Sequence, residues 1–153
     1  MIVVRPYTVK DLIKLSHTID EVCANSLWMS TRSFVPTNAW IHAMEMDNCR
    51  CHRLLIAEKN GGIIGWCRSF PVDCKVFPFH AELGIGLLPR YRNQGIGFEL
   101  TTQSMQWAKT VGLQTVDLTV STQNSMAVHV FTKCGFKPVN TDGNRMRMSV
   151  CLS

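Results

Sequence analysis

The run Arg92-Asn93-Gln94-Gly95-Ile96-Gly97 holds the residue types and spacing most suited to chemistry in this chain. It follows a strand-like stretch, Glu82 to Leu88, and opens an amphipathic pattern that ends near Gly112. The first amides of an α-helix have no intrahelical acceptor, and the aligned peptide dipoles add partial positive charge there. Glycines at alternate positions let an anion approach the backbone without meeting a Cβ. A strand, a basic residue, two glycines and a helix therefore predict a phosphate site, ringed by backbone amides from about Asn93 to Phe98.

The elements that must position this turn are legible on both sides of it. Met1 to Pro6 is β-branched and reads as a first strand. Thr8-Val9-Lys10-Asp11 resembles a capping box, with Asp in place of Glu. Leu12, Ile13, Leu15, Ile19 and Val22 follow at helical spacing, with the helix ending near Asn25. Ser26 to Val35 is irregular, and a second helix runs from Pro36 or Thr37 to about Met46. Arg53 to Glu58 is a short strand. Lys59-Asn60-Gly61-Gly62 is a hairpin turn, since Asn-Gly supplies positive φ. Ile63 to Phe70 returns as its partner, Pro71 to Pro78 is a loop, and Phe79 to Leu88 is a fourth strand. The long helix, Gly95 to Val111, buries Ile96, Leu100, Trp107, Ala108 and Val111, and Gly112 caps it. Thr115 to Val120 alternates as a strand. Ser125 to Cys134 is a short helix capped by Asn124 and stopped by Gly135. Phe136 to Val139 and Arg145 to Leu152 are strands flanking a turn at Thr141 to Asn144. The order is β-α-α-β-β-β-α-β-α-β-β, an α/β fold with a mixed sheet and helices on both faces.

The chain has 153 residues, 46% hydrophobic and 18% charged, which predicts one globular domain over 1–153. A net charge of +5 favours an anionic ligand. No dense Lys/Arg run and no basic-aromatic pattern point to nucleic acid. No apolar run approaches the ~20 residues of a membrane span, and Met1 to Pro6 lacks a signal-peptide layout. The expectation is a soluble cytoplasmic protein. Seven cysteines, an odd number at irregular spacing, read as free thiols. Cys49-Arg50-Cys51-His52 lacks the second ligand pair of a zinc site, so no metal is expected.

Three phosphate ligands compete for the glycine turn. A P-loop is excluded, because no Gly-Lys-Ser/Thr ending follows. A dinucleotide fits poorly, because Phe98-Glu99-Leu100 follows where a third glycine belongs. The third reading is a pyrophosphate carried by coenzyme A. Here the chain resembles the GNAT N-acetyltransferases, whose motif is a strand, then Gln/Arg-x-x-Gly-x-Gly/Ala, then a helix. Arg92, Gly95 and Gly97 match it. Asn124, Ala127, Phe131, Gly135 and Phe136 match a second family motif, Asn-x-x-Ala, an aromatic, then Gly-Phe. The resemblance covers Met1 to Val139 and is strongest from Glu82 onward.

The resemblance implies a GNAT acyl-CoA N-acyltransferase fold with acetyl-CoA as co-substrate. Arg92, Asn93, Gln94, Gly95, Ile96, Gly97 and Phe98 would hold the pyrophosphate. It also implies that the fourth and fifth strands part at a bulge and take the pantetheine arm between them. Gly84 and Gly86 fit a bulge or a close backbone approach. Leu87 and Leu88 would turn their backbone toward the thioester, where an amide can stabilise an oxyanion. Asn124 would contact the pantetheine arm or cap its helix.

An aliphatic amine is largely protonated at neutral pH, so a base must deprotonate it before attack. Glu82 is the first candidate, because the family often uses a carboxylate near that place. Asp117 and His80 are weaker ones. Phe131 stands where the family commonly has Tyr, and phenylalanine has no proton to give. Ser125, Tyr91, Cys134 or water would then serve as acid, or the thiolate leaves unassisted. The acceptor is an amine of a small molecule, amino acid or peptide. Trp28, Met29, Phe34, Trp40, Phe70, Phe77 and Phe79 populate the segments opposite the carrier. A non-catalytic acetyl-CoA-binding module and a protein-directed acetyltransferase remain alternatives, and a homodimer is compatible with an exposed last strand.

Overall fold

Asn60 and Gly61 both hold positive φ, 51° and 81°, so the chain reverses tightly as Asn-Gly predicts. That turn folds β2 (Arg53–Lys59) onto β3 (Gly62–Pro71). The computed structural model describes residues 1–25, 52–71 and 80–152. β1 (Ile2–Pro6) runs antiparallel to β2, and β4 (His80–Leu87) runs antiparallel to β3. β5 (Thr115–Ser121) lies parallel to β4, and β7 (Arg145–Cys151) returns antiparallel to β5, with β6 (Lys137–Asp142) outside it. The sheet is mixed, in the order β1-β2-β3-β4-β5-β7-β6.

Among the described residues three helices pack on it: α1 (Leu12–Asn25), α2 (Ile96–Thr110) and α3 (Ser125–Lys133). α1 contacts β3 and β4, α2 contacts β2, β3 and β4, and α3 rests on α2. The predicted helix at 36–46, the irregular stretch before it and most of the 71–78 loop lie outside the described residues. None of the helices among the described residues is long and apolar enough to cross a membrane.

Three expectations shift. Ile13 is 72% exposed, because the buried stripe of α1 is Leu15, Ile19, Val22 and Cys23. Trp107 and Val111 pack only at the margin of the core that Leu100 and Ala108 enter. β6 runs on through Asp142, with the turn tightened at Gly143, φ 59°. All six of its side chains are exposed, so an edge strand carries no apolar alternation to mark its length.

An ion cluster ties the first strand to the first helix. The Arg5 guanidinium spans the Asp11 carboxylate, at 2.8 and 2.9 Å, and donates from Nε to Glu58 Oε2 at 2.8 Å. Asp11 also accepts the Thr8 amide at 2.8 Å, as a capping-box residue should. One carboxylate therefore fixes a helix start and a strand together. The Arg5 hydrogen bond holds the buried Asp11 carboxyl below its ordinary value, against its own desolvation.

A group with a depressed folded pKa contributes stability that is full above its unfolded pKa and lost as pH falls through the folded one. Asp11→Ala should therefore cost about 2 kcal/mol at neutral pH. The gap between variant and wild type should close on acidification below the ordinary aspartate range. Urea unfolding across pH measures both; a gap that does not vary with pH contradicts this role.

Candidate functional site

The site is built where β4 and β5 stop being partners. Their parallel pairing runs only from His80↔Thr115 to Glu82↔Asp117. β4 continues to Leu87 and β5 to Ser121 without a bond between them, so a wedge opens beyond Glu82. The β3–β4 ladder crosses Gly84 and Gly86 with no register shift. The wedge therefore forms without the expected bulge in that ladder.

The two strand glycines have different tasks. A Cβ on Gly86 would stand 2.1 Å from Cη2 of the buried Trp66, so glycine makes room for an indole. A Cβ on Gly84 would meet no heavy atom within 4 Å, so Gly84 borders open space. Overpacking of this kind costs ~1–3 kcal/mol. Gly86→Ala should lose stability in that range, and Gly84→Ala should lose markedly less. Thermal unfolding of the two variants decides it; equal losses would contradict the assignment.

Amides of successive strand residues point to opposite neighbours. The Leu88 amide bonds Ile64 O at 2.9 Å, on the β3 side. The amides of Ile85 and Leu87 consequently face the wedge, while that of Leu83 lies within the parallel pairing that ends at Glu82↔Asp117. The sheet already uses the Leu88 N–H. The Leu87 carbonyl accepts Arg92 Nε at 3.2 Å, which ties the basic residue of the motif to the end of β4.

The glycine turn follows a 3-10 turn at Pro89–Tyr91. Asn93 and Gly95 take φ of 64° and 82°, and Gln94 Nε2 donates back to Arg90 O at 3.3 Å. Gly95 is the N-cap of α2, with no side chain capping it. Among the described residues, no amide from Asn93 to Phe98 donates to a backbone carbonyl. A Cβ at Gly95 or Gly97 would meet nothing within 4 Å. Ile96 is buried and anchors the turn from beneath, while Phe98 is exposed. Lys133, in the last turn of α3, sits 5.1 Å from the Phe98 ring. That cation adds positive charge beside the free amides. Its approach is tertiary, so sequence spacing carried no sign of it.

Asn124 Oδ1 accepts the Ala127 amide at 3.3 Å and caps α3. Phe131 is buried edge-on against Phe136, with centroids 5.9 Å apart. Of the other proton-donor candidates, Tyr91 lies under Lys59 and Arg90, and Ser125 is exposed. Cys134 is half-buried, and burial pushes its thiol up. Asn124→Ala should cost about 1 kcal/mol of stability and Asn124→Asp should restore it, because Asp caps equally well. If calorimetric unfolding shows the Asp variant no better than the Ala one, the cap is not what Asn124 contributes.

Three acid–base candidates meet at the fork. Asp117 is buried, and its Oδ2 accepts from His80 Nε2 at 2.8 Å, from Arg147 Nε at 2.9 Å and from Arg147 Nη2. Burial alone would push the Asp117 carboxyl up. Hydrogen bonds from Ser149 and Arg147 and the charges of His80 and Arg147 hold it below its ordinary value instead. The other ring nitrogen of His80 lies 2.6 Å from Thr115 Oγ1. Both nitrogens of His80 and Oδ2 of Asp117 are thus occupied, while Asp117 Oδ1 is buried without a hydrogen-bond partner. Glu82 is exposed and has no hydrogen bond or ion pair among the described residues. Its register neighbours are Phe70 on β3 and Asp117 on β5. Arg147 feels its charge, and nothing in the sequence around Arg147 marks it for this place. Among the described residues no three His, Cys, Asp or Glu side chains cluster as metal ligands. Cys49 to Cys51 fall outside them.

A parted strand pair leading to an uncapped, glycine-lined helix start defines a class of fold, and the comparisons give it a family. The model of the acetyltransferase (GNAT) family matches residues 17–136, and the chain belongs to that family. It is similar to a GNAT-family acetyltransferase from Streptococcus pneumoniae, at 22% identity over 100% of both chains and a TM-score of 0.87. It is also similar to YncA from Salmonella typhimurium, solved with its cofactor acetyl-CoA, at 14% identity, 99% and 94% coverage and a TM-score of 0.83. A phosphinothricin acetyltransferase from Sinorhizobium meliloti, in complex with acetyl-CoA, shares 15% identity over 99% and 89% of the chains, with a TM-score of 0.79. No curated protein matches the chain in sequence.

Proposed function

We propose that this protein transfers an acetyl group from acetyl-CoA directly to the primary amine of a small molecule, amino acid or peptide. The observation that carries this reading is the pairing of the wedge with the free amides of Asn93 to Phe98. One offers an added-strand groove to an amide-bearing arm, and the other offers donors to a diphosphate. Two structures similar in fold hold acetyl-CoA, and the family model covers this part of the chain.

Acetyl-CoA supplies an activated thioester. Arg92, held against Leu87 O, keeps the end of β4 and the glycine turn in fixed relation. Wedge-facing amides of Ile85 and Leu87 are preorganised donors for charge developing on a carbonyl oxygen. Glu82 takes the proton from the acceptor amine, directly or through water. Asp117 is committed to Arg147 and His80, and does not compete for that task. Phe131 leaves thiolate departure to water or to an unassisted step, since a thiolate is a competent leaving group. The same Phe131 favours one other reading, an acetyl-CoA-binding module without turnover. The protein is read as acting in the cytoplasm. The last strand, β7, is not the expected free edge, since it lies between β5 and β6. The exposed β6 edge is the one that leaves room for a second copy.

An amine panel with detection of released CoA thiol tests the proposal. Wild type should release thiol with at least one amine. Glu82→Gln should lower turnover by about 100-fold or more, while its acetyl-CoA affinity by calorimetry stays unchanged. Unchanged turnover would remove Glu82 as base. Tight acetyl-CoA binding with no thiol released by any amine would favour the binding module.

A further inference from the structure

Arg68 lies on the same sheet face as Glu82, one position deeper into the wedge. The register sets Arg68 beside Gly84 and Phe70 beside Glu82. Gly84 and Glu82 are two strand residues apart, ~6.6 Å along β4. The Arg68 guanidinium lies over the Phe70 ring, 4.6 Å from its centroid. Its Nε is sealed from solvent and has no hydrogen-bond partner. Among the described residues no carboxylate lies within ion-pair distance of it.

His52, just ahead of β2, repeats the pattern. Its Nδ1 is buried without a partner, and burial together with Arg68 pushes its imidazole down. Burial also pushes the Arg68 guanidinium below its ordinary value. A half-buried cation with a sealed, unpartnered donor is costly, and a bound anion relieves that cost. Space for one exists: the strand opposite presents Gly84, where a Cβ would meet nothing within 4 Å.

We propose that the acceptor is an amine carrying its own carboxylate, a small amino acid, whose carboxylate is received by Arg68 beside His52 while its amine turns toward Glu82. This deepens the function proposed above and rests on it for the identity of the transferred group. Arg68 is a specificity residue here, and the reacting atoms belong to Glu82 and the wedge. Phe70 holds the guanidinium flat, so that its fork faces one direction. An amine without a carboxylate would leave Arg68 as it stands now, half-buried with its Nε unpartnered.

The test compares matched pairs: phenylalanine with phenethylamine, and methionine with 3-methylthiopropylamine. Each is titrated calorimetrically into the protein saturated with CoA, and each is assayed for thiol release with acetyl-CoA. Wild type should bind at least one amino acid about 10- to 100-fold more tightly than its decarboxylated partner, as expected for a charge-assisted hydrogen bond. Arg68→Met should bring that ratio close to one. Arg68→Lys, which keeps the charge without the fork, should give an intermediate ratio and guards against loss of folding in the Met variant. A wild-type ratio near one for both pairs overturns the inference, as does a ratio that survives Arg68→Met. Calorimetry decides even if no amine releases thiol. In that case the transfer reading fails while the carboxylate site stands or falls on its own ratio.

Discussion

Two neighbouring strands that part company leave backbone donors and acceptors with nowhere to go. In this fold that happens past Glu82 and Asp117, where β4 keeps β3, β5 keeps β7, and nothing joins the inner edges. Backbone polar groups must be satisfied by protein, water or ligand. A groove lined with free strand edges therefore selects for something that can imitate a strand. The outer ladders on either side are long and well paired, so the parted edges are held in place by the rest of the sheet.

The charges at the fork follow from the same geometry. Parallel pairing puts the carboxyls of Glu82 and Asp117 side by side on one face. Two neighbouring carboxylates repel, and one of them would ordinarily take up a proton. Arg147, arriving from β7, and His80, from the start of β4, settle the matter by binding Asp117. Asp117 thereby becomes structural and Glu82 stays available. On the other side, Trp66 fills the space over Gly86 and Arg68 stands beside the space over Gly84. One face of β4 is thus read in three steps, from a carboxylate through a gap to an indole.

Much of this was legible in the sequence. The hairpin at Asn60-Gly61, the strand–turn–helix around Gly95 and the Asn124 cap are local, and local chemistry names them. The α1 stripe was legible in period and misplaced only at Ile13, whose apolar type does not reveal which side of the helix it joins. The length of β6 was not legible, since an exposed edge strand has no core face to pattern. Arg147, Arg68 and Lys133 were not legible for a different reason. Each becomes interesting only through a partner brought close by sheet register or helix packing, and a lone arginine or lysine in sequence is ordinarily a solvated one. The division between Gly84 and Gly86 was likewise hidden, because it depends on which cross-strand neighbour is a tryptophan.

The central claim is that the unbonded amides of Asn93 to Phe98 receive the carrier's diphosphate. The most direct measurement follows the backbone amide resonances while acetyl-CoA and, separately, S-acetylpantetheine, which lacks the diphosphate, are titrated in. Acetyl-CoA should move the Asn93 to Phe98 amides most strongly, and S-acetylpantetheine should leave them nearly still and bind at least about tenfold more weakly. Equal affinity for the two, or amides at 93–98 that do not respond to acetyl-CoA, would contradict the account.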